Sequence, residues 1–147
     1  TNEIRSPEVT SFVSIVAAEI PVRKFLTDQQ KNMGKLGGLV AEGRDIGNTV
    51  FPDAELKIFL NASSAERAKR RSKDLEMQGF ISPTILELEK EITARDQMDM
   101  TREISPLIQA EDAIEVITDG MNIEEVIQTL VDLFRMKIPE EIWPSLS

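Results

Sequence analysis

The sequence contains neither cysteine nor histidine. Without cysteine, the chain can form no disulfide framework and no thiolate metal site. Without histidine, it lacks the commonest metal ligand and the commonest general base. Any chemistry must therefore use carboxylates, arginine, lysine, hydroxyl groups or a metal ion that is borrowed from a ligand.

Long apolar runs are also missing from the sequence. No run reaches the roughly 18 residues that a membrane-spanning helix needs. The first five residues, Thr-Asn-Glu-Ile-Arg, have neither the basic nor the apolar region of a secretion signal. We therefore expect a cytoplasmic protein with no membrane partner. Its 147 residues, 41% hydrophobic and 29% charged, suit one soluble globular domain.

The negative charge is concentrated toward the C-terminus. Residues 103–147 contain ten acidic and two basic residues, whereas residues 1–102 are almost neutral. The net charge of −9 argues against a nucleic-acid partner, because nucleic-acid binders usually present a broadly basic face. Five of the residues from 67 to 73 are nevertheless cationic, namely Arg67, Lys69, Arg70, Arg71 and Lys73. This cluster is either a solvated helix face or a site for a compact anion such as a nucleotide phosphate.

Turn and capping residues predict five helices. Two of them open the chain, the first closed by Pro21 and the second running from residue 22 to 33. The third runs from a capping box at Ser63 to about residue 77 and is stopped by Gly79. The last two begin at the N-cap residues Ser82 and Asn122.

Three short apolar runs predict buried strands, at residues 39–41, 57–60 and 114–118. Strands that alternate with helices in this order indicate an α/β fold with a parallel sheet. Three strands are few for such a sheet, because parallel strands are covered on both faces. The pattern therefore predicts an incomplete sheet.

Arg44 and Asp45 directly follow the first predicted strand, at the edge where open α/β sheets place their ligands. The flanking Gly43 and Gly47 would allow a sharp turn and a close approach to a ligand. Such an arginine and aspartate could bind a phosphate and a base or sugar. They could equally form a surface ion pair at a turn.

Two groups of charged residues have helical spacing. They are Arg67, Arg70 and Arg71 at i, i+3 and i+4, and Arg95, Asp99 and Arg102 at i, i+4 and i+7. Asp99 could simply separate two like-charged arginines. Alternatively, the arginines neutralise an anion whose charge changes during a reaction, as in phosphoryl transfer. Ser14 and Arg23 carry no functional signal by themselves, since Ser14 suits a core hydroxyl and Arg23 a surface cation.

Seven motifs occur along the chain in one order and spacing. They lie at residues 4–9, 43–47, 50–54, 57–63, 66–68, 70–71 and 95–102. In this they resemble the bacterial cytidylate kinases, nucleoside monophosphate kinases of the P-loop class, from residue 4 to about residue 133. The pairing of Gly-Arg-Asp with Phe-Pro-Asp-Ala is specific to that family among these kinases. The acidic tail at residues 138–144 resembles cyanobacterial members that are fused to a pantoate–β-alanine ligase.

The resemblance implies ATP-dependent phosphorylation of CMP and dCMP, with Mg²⁺ as cofactor and these nucleotides as the small-molecule partners. The implied substrate-binding residues are Ser14, Arg23 and Asp45 at the cytosine ring, Arg44 and Arg102 at the CMP phosphate, and Asp99 at the ribose. The implied catalytic residues are the lid arginines Arg70, Arg71 and Arg95, which would close over the ATP phosphates.

The resemblance also implies a division of residues 1–147, taken as the C-terminal part of a cytidylate kinase domain. Residues 1–36 would end the nucleoside-monophosphate-binding region, and residues 37–147 would form the core, with a lid at about 70–102. Two smaller departures are Asn48, where the family often has threonine directly after the glycine, and Asn61, where aspartate is common.

The main departure from the family is the absence of a Gly-x-x-x-x-Gly-Lys motif. Gly34-Lys35 has no matching upstream glycine and no hydroxyl residue after the lysine. In the family this loop follows a strand in the middle of the sheet. We therefore expect a P-loop NTPase-type parallel sheet without its first strand, remnants of the lid and nucleotide-binding regions, and no activity without a missing N-terminal segment.

Two functions of other classes stay open. The chain could keep a residual CMP site and act as a binding module without catalysis. It could also be an interaction domain that presents its acidic C-terminal helix to a basic partner. The last alternative predicts that charge reversal at Glu124 and Glu125 matters, whereas Arg44→Ala does not.

Overall fold

The computed structural model describes residues 6–142, with the side chains of Pro7, Ser14 and Ile142 excepted. Its α-helices are α1 Pro7–Ala18, α2 Ile20–Gly34, α3 Ser64–Met77, α4 Ile85–Thr101 and α5 Ile123–Lys137. Its strands are β1 Ile58–Asn61 and β2 Ile114–Ile117, and a π-helical turn spans Ile46–Val50. None of the helices within residues 6–142 is long and apolar enough to cross a membrane.

The chain forms two compact units. The first unit comprises the residues up to Pro52 together with Arg95–Ile108, and the second unit comprises Asp53–Ala94 together with the residues from Gln109 onward. In the second unit β1 and β2 pair in parallel, with Ile58 opposite Ile114 and Asn61 opposite Ile117. The expected α/β class with a parallel sheet is therefore confirmed, and so are the strands predicted near residues 57–60 and 114–118.

The strand predicted at residues 39–41 is wrong. This segment has no strand conformation, and Val40 is 97% exposed. A short apolar run becomes a strand only when a neighbour accepts and donates its backbone hydrogen bonds. Among the described residues only β1 and β2 pair with each other, so residues 39–41 have no partner strand there.

Helix α3 begins at Ser63 as predicted, but the capping box is only half formed. The Ser63 hydroxyl accepts a hydrogen bond from the backbone N–H of Glu66 at 3.2 Å. The second bond of a capping box, from the Ser63 backbone N–H to the Glu66 carboxylate, is not formed. This N–H donates instead to the carboxylate of Asp119 at 2.9 Å. Glu66 instead accepts a bond from Arg70 Nε at 3.2 Å. The start of α3 is thereby fastened to the residue that lies two positions after β2.

The end of α3 is a Schellman motif at Gly79, as predicted. Gly79 has a φ of +80°, and its N–H donates to the carbonyl of Glu76 at 3.0 Å. The N–H of Phe80 donates to the carbonyl of Leu75 at 2.9 Å. Phe80 then packs, together with Ile92, against a buried cluster of Ala68, Leu75 and Leu88, so the turn that ends the helix also contributes to the core.

The N-cap of α4 is Thr84 and not Ser82. Thr84 Oγ1 accepts the backbone N–H of Glu87 at 3.3 Å, and Glu87 accepts the backbone N–H of Thr84 at 2.9 Å. This reciprocal box is available only where a glutamate follows three residues later. The Ser82 hydroxyl instead pairs with that of Ser72 at 2.9 Å. Asn122, by contrast, caps α5 with the predicted glutamate in a complete capping box.

Asp119 makes the stability of the second unit dependent on pH. Its hydrogen bonds from Ser63, and after them the charge of Arg70, lower the pKa of this carboxyl below its usual 3.8. Its stabilising contribution is therefore complete above the usual value and is lost as the pH falls through the lowered one. We expect Asp119→Asn to lower the melting temperature slightly at neutral pH, and this difference to close in acid, below the lowered pKa.

Circular dichroism melting curves of both proteins at a series of pH values measure this effect. The expected difference is small because Asp119 is exposed to solvent. A difference between the two proteins that stays constant from neutral pH into acid would contradict the assignment.

Candidate functional site

An ion pair joins α2 to the loop before the π-helical turn in the first unit. Arg23 Nη1 donates to Asp45 Oδ2 at 2.7 Å, and its Nε donates to the carbonyl of Ala17 at 2.8 Å. Both charged side chains are 12% exposed. Arg23 is thus held from two directions, and the pair places donor and acceptor groups side by side.

Arg44 lies beside this pair and is held by two carboxylates of α4. Its Nε lies 2.9 Å from Asp99 Oδ2, and its Nη1 donates to Asp96 Oδ1 at 2.8 Å. The Arg44 side chain is 31% exposed. The contact with Asp96 is a hydrogen bond, whereas the contact with Asp99 is an ion pair, because Asp99 Oδ2 has no hydrogen-bond partner among the described residues. Since a guanidinium carries five N–H donors, Arg44 keeps N–H groups without a hydrogen-bond partner in the described part of the chain.

Asp99 is the most deeply buried member of the cluster, with a side-chain exposure of 3%. Besides Arg44, its carboxylate contacts Arg102 Nη1 at 3.2 Å and Arg95 Nε at 3.9 Å. The helical spacing of Arg95, Asp99 and Arg102 therefore does bring these side chains together. A buried carboxylate is tolerated only when cations and hydrogen bonds compensate its lost hydration, and three arginines do so here.

Arg102 is a buried cation, with a side-chain exposure of 8%. Its Nε donates to the carbonyl of Ser105 at 2.5 Å, while its Nη2 lies 3.7 Å from Asp45 Oδ1 and has no hydrogen-bond partner among the described residues. Burial, followed by the charge of Arg23, lowers the pKa of Arg102 below its usual value, whereas Asp45 and Asp99 act in the opposite direction. A buried guanidinium with an unsatisfied nitrogen is well suited to an anion.

The loop after α4 is fastened beside these residues. The Asn48 side-chain amide donates a short hydrogen bond to the carbonyl of Ile108, and the N–H of Leu107 donates to the carbonyl of Asp99 at 2.8 Å. Ser105 has a φ of +52°, a conformation that non-glycine residues rarely adopt. Asn48, at the position where the family often has threonine, thus tethers the segment that accepts the bond from Arg102.

Arg44 and Asp45 do lie in the candidate site, but the strand that was expected directly before them is not formed. They follow no strand, and they lie instead directly before the π-helical turn. Gly43 is required for space, because a Cβ there would lie 2.7 Å from Cγ1 of Ile46. A cavity of about 250 Å³ opens in the same unit, lined by Ile20, Arg23 and Thr27 of α2 and by Thr49 and Ile104.

Arg70 and Arg71 belong to α3 in the second unit. Arg70 donates through Nη1 to Thr118 Oγ1 at 2.9 Å and through Nη2 to the Thr118 carbonyl at 2.5 Å. Its guanidinium is therefore engaged in holding the residue that follows β2. Arg71 is half-buried and has no hydrogen bond or ion pair with another residue of the described chain. Arg95 lies in the first unit, 38% exposed.

Ser14 lies on α1, and its side chain is outside the described part of the chain. Asp96 is a member of the cluster that the sequence pattern did not predict, although it lies three residues before Asp99 and thus at helical spacing from it. That spacing is the signal that could have identified it. Within residues 6–142, no group of three or more acidic side chains is arranged to hold a metal ion.

The chain is similar to a known protein family along nearly its whole length. The family model described as cytidylate kinase matches residues 1–136. The chain is 66% identical over 145 residues to a bifunctional pantoate ligase/cytidylate kinase of Prochlorococcus marinus strain MIT 9303, which covers 99% of this chain and 30% of that protein. It is 58% identical over 145 residues, 99% of this chain and 30% of the relative, to the protein of that name from Synechococcus sp. strain WH7803.

A third protein of the same name, from Parasynechococcus marenigrum strain WH8102, is 61% identical over 142 residues, which are 97% of this chain and 28% of that relative. The chain thus spans less than a third of the length of these relatives. Their names agree with the resemblance to fusion proteins. Since the family model matches nearly the whole chain, the chain belongs to the cytidylate kinase family.

Proposed function

We propose that the chain is the CMP-binding part of an enzyme that transfers a phosphoryl group from ATP to CMP or dCMP, which gives CDP or dCDP. The observation that carries this proposal is the cluster of four arginines and three aspartates in the first unit. The cluster combines a donor–acceptor pair, Arg23 and Asp45, with two arginines that have unpaired N–H groups, Arg44 and Arg102.

The Arg23–Asp45 pair suits a cytosine ring. Cytosine presents an exocyclic amine that donates and two neighbouring acceptors, N3 and O2. A carboxylate accepts from the amine, as in the recognition of cytosine by acidic side chains elsewhere. Arginine donates to the acceptors. Uracil has an oxygen in place of the amine, and we therefore infer that Asp45 disfavours UMP. We place Ser14 at the same ring by the resemblance alone.

Arg44 and Arg102 suit the phosphate of the monophosphate. Both retain N–H groups without a protein partner, and Arg102 is largely withdrawn from water. In such surroundings a hydrogen bond to a charged oxygen is stronger than a neutral one. Asp99, which contacts both arginines, is placed at the ribose in this proposal, and residues 1–36 and 37–147 would form the two regions that the resemblance implies.

We assign the transfer step to the arginines of a lid at about residues 70–102. Arg71 and Arg95 would contact the ATP phosphates, since phosphoryl transfer needs mainly positioning and positive charge. Arg70 is proposed for the same role, but it must first leave Thr118. Mg²⁺, when bound, neutralises charge on the ATP phosphates. We propose no protein ligand for it.

Isothermal titration calorimetry of the 147-residue chain with CMP tests the binding site. We expect saturable binding that Arg44→Ala weakens by about 10–100-fold, the usual cost of losing a hydrogen bond between charged groups. Arg135→Ala, an exposed arginine on α5, serves as the matched control and is expected to bind CMP normally. A chain that is folded but binds no CMP would contradict the proposal.

A coupled assay with ATP, Mg²⁺ and CMP tests the transfer step. We expect no turnover by the 147 residues alone, since they contain no Gly-x-x-x-x-Gly-Lys loop to hold the ATP phosphates. Binding without turnover would leave the chain a CMP-binding module when it is alone. Turnover that Arg44→Ala abolishes would mean that a complete site exists and that the expected inactivity is wrong.

A further inference from the structure

Asp96 is an acidic residue of the cluster to which the resemblance gives no role. It lies on α4, between Arg95 and Asp99, and its side chain is 15% exposed. Its Oδ1 accepts a hydrogen bond from Arg44 Nη1 at 2.8 Å. This is a charge-assisted bond of ordinary good length, and it joins two residues that are 52 positions apart in the sequence.

The two carboxylates hold different nitrogens of one planar group. Asp99 Oδ2 contacts Nε of Arg44, and Asp96 Oδ1 contacts Nη1. The guanidinium therefore cannot turn about its own axis without breaking one of these contacts. The N–H groups of Arg44 other than the one that binds Asp96 have no hydrogen-bond partner within the described chain. With Asp99 alone, the terminal nitrogens of Arg44 would be free to move, because an arginine side chain has many accessible rotamers.

We propose that Asp96 is a positioning residue that fixes Arg44, so that the unpaired N–H groups of its guanidinium face the phosphate of a nucleoside monophosphate. This assignment rests on the proposed function, because it takes Arg44 as a phosphate-binding residue. Asp96 acts through Arg44 and does not itself touch the substrate. We therefore expect Asp96 to affect the binding of ligands that carry the phosphate and to leave the binding of the base unchanged.

The opposite effect of Asp96, repulsion of the phosphate by its negative charge, is outweighed in this cluster. The charge of Asp96 is directly compensated by Arg44. Arg23, Arg44, Arg95 and Arg102 also outnumber the three aspartates that contact them, Asp45, Asp96 and Asp99. The cluster is therefore positive with Asp96 in place, and the fixed geometry of Arg44 is the larger contribution.

The test compares CMP with cytidine, which has the same base and sugar but no phosphate. Both are titrated by calorimetry into the 147-residue chain and into its Asp96→Ala and Asp96→Asn variants. We expect Asp96→Ala to weaken CMP binding about tenfold, the lower end of the range for residues that orient a binding group. Asp96→Asn keeps an oxygen for Arg44 in a weaker, neutral bond, and we expect a loss of about two- to threefold.

Cytidine binding should be the same in all three proteins, and Glu91→Ala, an exposed position on the same helix, should bind both ligands normally. If Asp96→Ala does not fold, Asp96→Asn provides the test: its affinity for CMP should be about two- to threefold lower and its affinity for cytidine unchanged. CMP binding that both variants leave unchanged or strengthen overturns the assignment. Equal losses for CMP and cytidine also overturn it, since they indicate a general structural role. An unsubstituted chain that binds no CMP overturns the proposed function together with this assignment.

Discussion

Replacing Asp99 by alanine is expected to lower the free energy of unfolding by about 3–5 kcal/mol, the usual cost of removing one partner of a buried ionic contact. The carboxylate is 3% exposed and contacts Arg44, Arg95 and Arg102. Without it, Arg102 remains buried with only the distant Asp45 as a counter-charge, 3.7 Å away. Since whole domains are stable by only about 5–15 kcal/mol, this loss is large enough to unfold much of the protein.

Urea denaturation followed by circular dichroism measures this loss. Glu91→Ala, on the same helix and exposed to solvent, is the matched control and should change stability by less than about 0.5 kcal/mol. Asp99→Asn separates charge from shape: its amide fills the same space, but its NH₂ group faces an arginine. We expect it to be destabilised nearly as much as Asp99→Ala. A midpoint of Asp99→Ala equal to that of the control would contradict the ionic interpretation.

Leu75→Ala is expected to destabilise the second unit by about 2–5 kcal/mol, as large-to-small substitutions in a core do. Leu75 is 2% exposed and lies in a buried cluster with Ala68 and Leu88. Of the seven buried hydrophobic residues of the described chain, three are alanines. Few other groups are therefore available to fill the space that the leucine leaves, and the cost should lie in the upper part of this range.

Met77→Ala is the matched control for Leu75→Ala, because Met77 lies on the same helix and is 78% exposed. Thermal unfolding of both variants measures the difference. We expect the control to melt close to the unsubstituted chain. If Leu75→Ala melted at the same temperature as Met77→Ala, the cluster of Ala68, Leu75 and Leu88 would not be the stabilising centre of this unit.

Short sequence motifs correctly predicted those parts of the fold that depend only on residues close in the sequence. Gly79 ends α3 and Asn122 caps α5, because each motif is complete within a few residues. Thr84 replaced the predicted Ser82 for the same reason, since only Thr84 has a glutamate three residues later. The strand predicted at residues 39–41 was wrong because strand formation depends on a partner strand, which a local pattern cannot show.

The candidate site was predictable where it lies on one helix. The i, i+4, i+7 spacing correctly brought together Arg95 and Asp99 of α4 and Arg102, which directly follows that helix. The pairing of Arg23 with Asp45, and of Arg44 with Asp96, joins residues that are 22 and 52 positions apart. No sequence periodicity extends over such separations, so only the folded chain brings these partners together. Their roles in binding CMP stay predictions.

The first unit is discontinuous in the sequence, and this affects the order of events during synthesis. Its two stretches are separated by residues 53–94, which belong to the second unit. At ~5–20 residues per second, a ribosome needs about 2–8 s to make this insertion. During that time Arg23, Arg44 and Asp45 have emerged without Asp96, Asp99 and Arg102. In this interval Arg44 lacks both of its carboxylate partners, whereas Arg23 already has Asp45. The apolar helices of the early segment cannot yet pack against residues 95–108 and are most accessible to chaperones.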